Sequence, residues 1–128
     1  MMADIVVKAA YASVVEDEGL LFVGFAEGEG EDEPYALFRQ AVGGGPVWFE
    51  VNDESFGAED ALERVVSGPK GLEIVIAPAR RGAFGYAATV AVRIGGACED
   101  AGPALAALRA MLGPVLADAG GPASGGDI

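Results

Sequence analysis

Two clusters of carboxylates carry most of the chemistry this chain could offer. The segment Glu27-Gly28-Glu29-Gly30-Glu31-Asp32-Glu33 packs five acids into seven residues, and a second group gathers Glu50, Asp53, Glu54, Glu59 and Asp60 around Phe49 and Phe56. Calcium favours carboxylates on a flexible loop, but the first cluster lacks the spacing of an EF-hand loop and does not open on Asp. We read it instead as a solvated hairpin loop held open by self-repulsion, or as a contact surface for a basic partner. Two carboxylates with separated pKa values could hydrolyse glycosides, yet nothing in the second cluster points two of them into one cleft. The expectation is therefore no catalytic residue, no metal site and no cofactor.

Other routes to catalysis close quickly. The chain has no histidine and a single cysteine, Cys98. That removes Ser-His-Asp and Cys-His nucleophiles, histidine bases, and zinc sites built on Cys/His clusters. Cys98 lies just before a predicted helix start, where a thiol can become acidic, but Glu99 and Asp100 oppose that. It reads as a buried or bystander thiol. Gly28 and Gly30 lack the third glycine and the following helix of a dinucleotide fingerprint. Eight Lys+Arg against twenty Asp+Glu leave a net charge of −12. Such a surface repels nucleic acid and anionic lipid, so neither is an expected partner.

The elements that must position these residues follow mostly from period-two patterning. Ile5, Val7 and Ala9 define a first strand, and Glu16-Asp17-Glu18-Gly19 a hairpin connection to Leu20–Ala26. That second strand is apolar on both faces, as if covered on both sides. Tyr35–Ala41, Val47–Asn52, Leu72–Ile76 and Tyr86–Ile94 follow, with Arg80-Arg81-Gly82 as a flexible basic tip. Residues 58–67 fit a short helix or an edge strand, and we favour the strand. One helix is expected after Asp100, which can cap it, with Pro103 in its first turn and Leu105, Leu108 and Leu112 along one stripe. Gly113-Pro114 stops it. The prediction is an α+β domain: a mostly antiparallel sheet of six to seven strands with the C-terminal helix packed on it. The domain spans residues 1–117, and 118–128 form a disordered Gly/Pro/Ser-rich tail.

Strand alternation gives the second cluster a geometry. If Val47, Phe49 and Val51 face the core, then Trp48, Glu50 and Asn52 face outward together. Trp48 beside acids would then be an interface anchor; the competing placement puts it under the helix. If strands two, three and four pair in order, the loop acids come near Glu50, Asp53 and Glu54. The candidate partner-binding set is thus Glu29, Glu31, Asp32, Glu33, Trp48, Glu50, Asn52, Asp53, Glu54 and Phe56.

The order of these pieces also resembles a known family. Gly19-Leu20-Leu21-Phe22-Val23-Gly24-Phe25 precedes an acidic loop and Tyr35-Ala36-Leu37-Phe38-Arg39-Gln40. Val47-Trp48-Phe49-Glu50-Val51-Asn52-Asp53-Glu54 comes next, with Gly57 soon after. Leu62 and Val65 lead to Gly71-Leu72-Glu73-Ile74-Val75-Ile76, and Leu105-Ala106-Ala107-Leu108-Arg109 ends the domain. Over roughly residues 5–113 this is similar to the bacterial Immunity protein 10 family, most specifically in the Phe49–Asp53 segment. The stretch Ala77–Tyr86 departs from the family's acidic segment before the last strand. The resemblance implies a cytoplasmic immunity protein that binds and neutralises a cognate toxin with a basic surface, without catalysis. The other readings of the residues are an interaction or ligand-binding domain that homodimerises through a sheet edge, and a carboxylate-only enzyme. The start of the chain, Met1-Met2-Ala3-Asp4, lacks the basic segment of a secretory signal, which also points to the cytoplasm.

Overall fold

Alternating burial builds the strands in the order the sequence suggests. The computed structural model describes residues 3–30 and 32–119. It contains β1 (Ile5–Asp17), β2 (Leu20–Ala26), β3 (Tyr35–Ala41), β4 (Trp48–Val51), β5 (Asp53–Glu59), β6 (Leu62–Gly68) and β7 (Gly71–Ile76). A 3₁₀ helix (Pro78–Phe84), β8 (Thr89–Glu99), α1 (Ala101–Leu112) and β9 (Leu116–Asp118) complete it. Residues 58–67 are strand, not helix, except for the Asp60-Ala61 link. The β1–β2 hairpin turns on Glu18 (φ 51°) and Gly19 (φ 81°), the paired left-handed conformations of a tight two-residue turn.

The strand count and pairing differ from expectation. One nine-stranded sheet runs β5-β4-β3-β2-β1-β8-β7-β6-β9, and two of its pairings, β1 with β8 and β6 with β9, are parallel. Short connections do force antiparallel pairing, but only between strands consecutive in the chain. β1 and β8 are joined by everything between them, and β6 and β9 by two strands and a helix, so neither pair is bound by that rule.

Curvature follows from one short link. β5 ends at Glu59 and β6 begins at Leu62, yet the two strands stand far apart in the sheet order. Seven strand spacings in a flat sheet would separate them by about 34 Å. The link from Glu59 to Leu62 can reach only about 11 Å. The sheet must therefore curl until its ends meet. Asp60 N–H donates to Val47 O at 3.1 Å, Ala77 N–H donates to Ala61 O at 2.8 Å, and Ala61 is fully buried at the seam.

The inner face of the curl is filled by apolar side chains. Val7, Val23, Phe25, Phe38, Phe49, Val51, Ile74, Val90 and Val92 are buried there. An aromatic chain crosses this core: Phe25 meets Phe38 edge-on at 6.4 Å, Phe38 meets Phe49 at 4.9 Å, and Phe49 stacks on Phe84 at 5.7 Å. Fully burying each such ring is worth about 2–3 kcal/mol. α1 contributes Ala104, Leu108, Met111 and Leu112 to the same core, with Leu105 partly buried.

Several local expectations are corrected. Arg80-Arg81-Gly82 is no flexible tip but part of the 3₁₀ helix, where Arg80 Nε donates to Glu59 O and Arg81 Nε to Ile76 O. Its anchor is the buried Phe84, a signal the arginines obscured. Asp100 occupies the cap position without a side-chain cap bond, at φ 61°. β8 runs to Glu99, leaving one residue to turn strand into helix, and a left-handed residue makes that turn. Among the described residues, only the inner face of β2 is fully covered: Val23 and Phe25 are buried, whereas Leu20, Phe22 and Gly24 are half-exposed. Asp118, placed with the tail, belongs to β9, pairs with Ser67 and forms a 2.7 Å salt bridge with Arg109. Ala119 N–H donates to Ser67 O at 2.7 Å, and residues 120–128 of the predicted tail lie outside the described residues. No helix among the described residues is long and apolar enough to cross a membrane.

Candidate functional site

Register, not sequence proximity, assembles the site. β2, β3 and β4 pair in order, with Leu37 opposite both Gly24 and Glu50, and Arg39 opposite both Phe22 and Trp48. Residues paired across antiparallel strands share a face. Trp48 and Glu50 therefore lie together on the outer face, and Phe49 and Val51 on the inner one, as the alternation requires. The helix packs on the inner side, so Trp48 is not beneath it.

Glu50 lies on the outward face, as the alternation requires, but not in water. It is only 7% exposed, the one buried charged residue among those described. Trp48 Nε1 donates to its Oε1 at 2.7 Å, and the Tyr35 hydroxyl donates to its Oε2 at 2.5 Å. Two neutral donors thus replace the water a buried carboxylate loses. The Trp-x-Glu spacing at 48–50 could have revealed the indole partner, since i and i+2 share a strand face. Tyr35 arrives through pairing alone. Burial raises the Tyr35 pKa above its ordinary 10.0, and the hydrogen bond to Glu50 and the charges of Glu50, Asp53 and Glu54 push it further.

Trp48 is half-buried rather than free. The Arg39 guanidinium sits 5.0 Å above its ring centre. Below, the strand opposite must be glycine: a Cβ on Gly57 would lie 2.5 Å from Trp48 Cζ2 and 2.8 Å from Glu50 Cβ. The indole is held by a cation on one side and bare backbone on the other.

Asn52 does not join the outward row. It turns the corner between β4 and β5 at φ 67°, where its Oδ1 accepts from Tyr35 N–H at 3.0 Å and its own N–H donates to Tyr35 O at 2.9 Å. Short polar side chains tolerate this conformation, so Asn52 is a structural clamp whose side chain also lines the cleft described next. The strand register shifts beyond this corner, leaving Glu54, Ser55 and Phe56 without partners in β4. Phe56 is 41% exposed there, close to Gly85 after the 3₁₀ helix.

Asp32, Tyr35, Glu50, Asn52, Asp53 and Glu54 line one open cleft of about 660 Å³, with no basic side chain among them. The structure thus joins one loop acid to the second cluster. Glu29 and Glu33 stay outside the cleft; Glu33 folds against Gly28, and Glu29 is exposed. Glu31 lies outside the described residues. Glu27 is committed to the fold, its carboxylate accepting Lys8 N–H at 2.8 Å. Among the described residues, no group of three or more acids, cysteines or histidines is arranged to hold a metal ion. Cys98 is half-buried, and its thiol pKa is raised by burial and by Asp100 and Glu99.

No protein-family model, curated protein or solved structure matches this chain.

Proposed function

We propose that this chain is a non-catalytic binding protein whose acidic face covers a basic protein partner, and that it acts as an immunity protein neutralising a bacterial toxin. The observation that carries the reading is the cleft lined by Asp32, Glu50, Asp53 and Glu54 with no basic side chain in its lining. A negative concavity of that kind attracts Lys and Arg side chains and speeds encounter with a cationic surface. Both oxygens of Glu50 accept from neutral donors, which holds its carboxylate in one orientation at the edge of the cleft. The similarity of Phe49–Asp53 and its flanking strands to Immunity protein 10 sequences supplies the toxin as partner.

Homodimerisation through a sheet edge is the weaker alternative. Edge strand β5 carries Asp53, Glu54 and Glu59, so antiparallel pairing with a second copy would face acids with acids. The other edge, β9, is three residues long.

The test is stopped-flow association with the product of a neighbouring gene, as the candidate toxin, across a salt series. Association should slow as salt rises, and the double variant Asp53→Asn, Glu54→Gln should bind at least tenfold more weakly. A salt-independent rate with unchanged affinity in that variant would reject the reading.

A further inference from the structure

The acidic cleft leaves the outer face of β1–β4 unexplained. Cross-strand register places Tyr11 and Val15 of β1, Phe22 of β2, Tyr35 and Leu37 of β3 and Trp48 of β4 on it. Val15 remains 49% exposed and Tyr11 36%, while α1 packs on the opposite side. In the middle of this face sits Gly24. Glycine weakens a strand interior and marks places where another group approaches the backbone closely.

Its missing side chain opens a groove of about 260 Å³, bounded by Tyr11, Ser13, Ala26, Tyr35 and Leu37. A Cβ added at Gly24 would meet Ser13 Oγ at 3.2 Å and Leu37 Cδ1 at 3.5 Å, so any larger side chain there would occupy the groove. Tyr35 lines both this groove and the acidic cleft, making them neighbours. Gly24, Leu37 and Glu50 form one row across β2, β3 and β4. Two strand spacings separate its ends by about 10 Å.

We infer that the groove over Gly24 receives an apolar side chain from a cationic protein segment, whose Lys or Arg about 10 Å away enters the cleft at Glu50, Asp53 and Glu54. This deepens the binding reading above and rests on it for the identity of the partner. Charge selects the occupant. The one basic side chain in these rows, Arg39, is engaged over the Trp48 ring, and the rows end in Asp17, beside Leu20, and Glu59, beside Trp48. A second copy docking face to face would bring these acids against their own equivalents, whereas a basic segment would meet opposite charge. Buried apolar contact anchors such a segment and the cation sets its register.

The probe is the peptide Lys-Ser-Ser-Phe-Ser-Ser-Lys, which in polyproline II form, with three residues per turn, places each Lys on the same side as the Phe and about 9 Å along the chain from it. Amide chemical shifts of the whole chain are followed during titration. Expected are perturbations at residues 11–13, 24–26, 35–37 and 50–54, lost from the groove when Phe is replaced by Ala and absent when both Lys are replaced by Glu. Perturbations elsewhere, or equal ones from the Glu peptide, overturn the inference. So does concentration-dependent dimerisation that perturbs the same amides without peptide.

A second arm uses the same neighbouring-gene product with Gly24→Val and Leu37→Lys, each checked for an unchanged melting temperature. Both should lose at least tenfold in affinity; Leu37→Lys decides if Gly24→Val fails to fold. Affinity unchanged in the groove variants but lowered by the cleft variants overturns the inference and leaves the proposed function standing. Peptide seated in the groove with no toxin binding does the reverse.

Discussion

The loop Glu27–Glu33 and the β4 residue Glu50 are built from the same chemical group, yet they belong to different regimes. Glu29, Asp32 and Glu33 are exposed, so water solvates them and their removal costs the fold little. Glu50 has surrendered its water to Trp48 and Tyr35, and its loss strands an indole N–H and a phenol. Charge count alone treats these acids as equals. What separates them is whether neighbouring donors have been arranged around the carboxylate before any partner arrives.

That contrast can be broken most directly at Glu50. Glu50→Ala should lower unfolding free energy by about 3 kcal/mol, combining lost hydrogen bonds with two unsatisfied donors. Chemical denaturation measures it, and a loss no greater than that of a loop acid would erase the distinction. Gly57→Ala should come next, at about 2 kcal/mol, because its methyl group meets the Trp48 ring and Glu50 Cβ. A crystal structure of that variant should show the indole displaced.

Tyr35 sharpens the comparison through pH. Its pKa is raised in the folded chain above the ordinary 10.0, so the neutral phenol is favoured by the fold. The resulting stability is fully present below pH 10.0 and is lost as pH climbs toward the folded value. Absorbance at alkaline pH should therefore show one late phenolate, missing in Tyr35→Phe and shifted to lower pH in Glu50→Gln. If Glu50→Gln leaves that phase in place, the hydrogen bond is not what holds the phenol.

The smallest effect belongs to the loop. Neutralising Glu29, Asp32 and Glu33 together should change stability by less than about 0.5 kcal/mol. It should nevertheless slow association with a basic partner at low salt, where screening is weakest.

Much of this contrast was written into the chain in readable form. The Phe49/Val51 against Trp48/Glu50 alternation, the Glu18-Gly19 turn and the leucine stripe of α1 all obey short-range rules. Glu50's burial does not, because it depends on Tyr35 arriving from another strand and on Gly57 leaving room for the indole. The same divide governs the fold. Antiparallel neighbours could be read from short connections, whereas the β1–β8 and β6–β9 pairings join segments whose separation gives no local signal. Asn52 illustrates both sides: its type suits a left-handed corner, but only the register shift explains why the corner falls there.

The placement of β1 at the centre of the sheet has a consequence during synthesis. Its antiparallel neighbour β2 leaves the ribosome almost at once, but its parallel neighbour begins at Thr89. At about 5–20 residues per second, β1 waits on the order of 4–16 seconds with one edge unpaired. During that interval the nascent chain is an open meander offering a hydrogen-bonding edge to any passing strand. Ribosome-bound chains ending near Glu59 should accordingly recruit chaperones, and those extended past Glu99 should release them. The central strand of the sheet is thus completed only late in the chain, so the speed of translation sets how long that edge stays vulnerable.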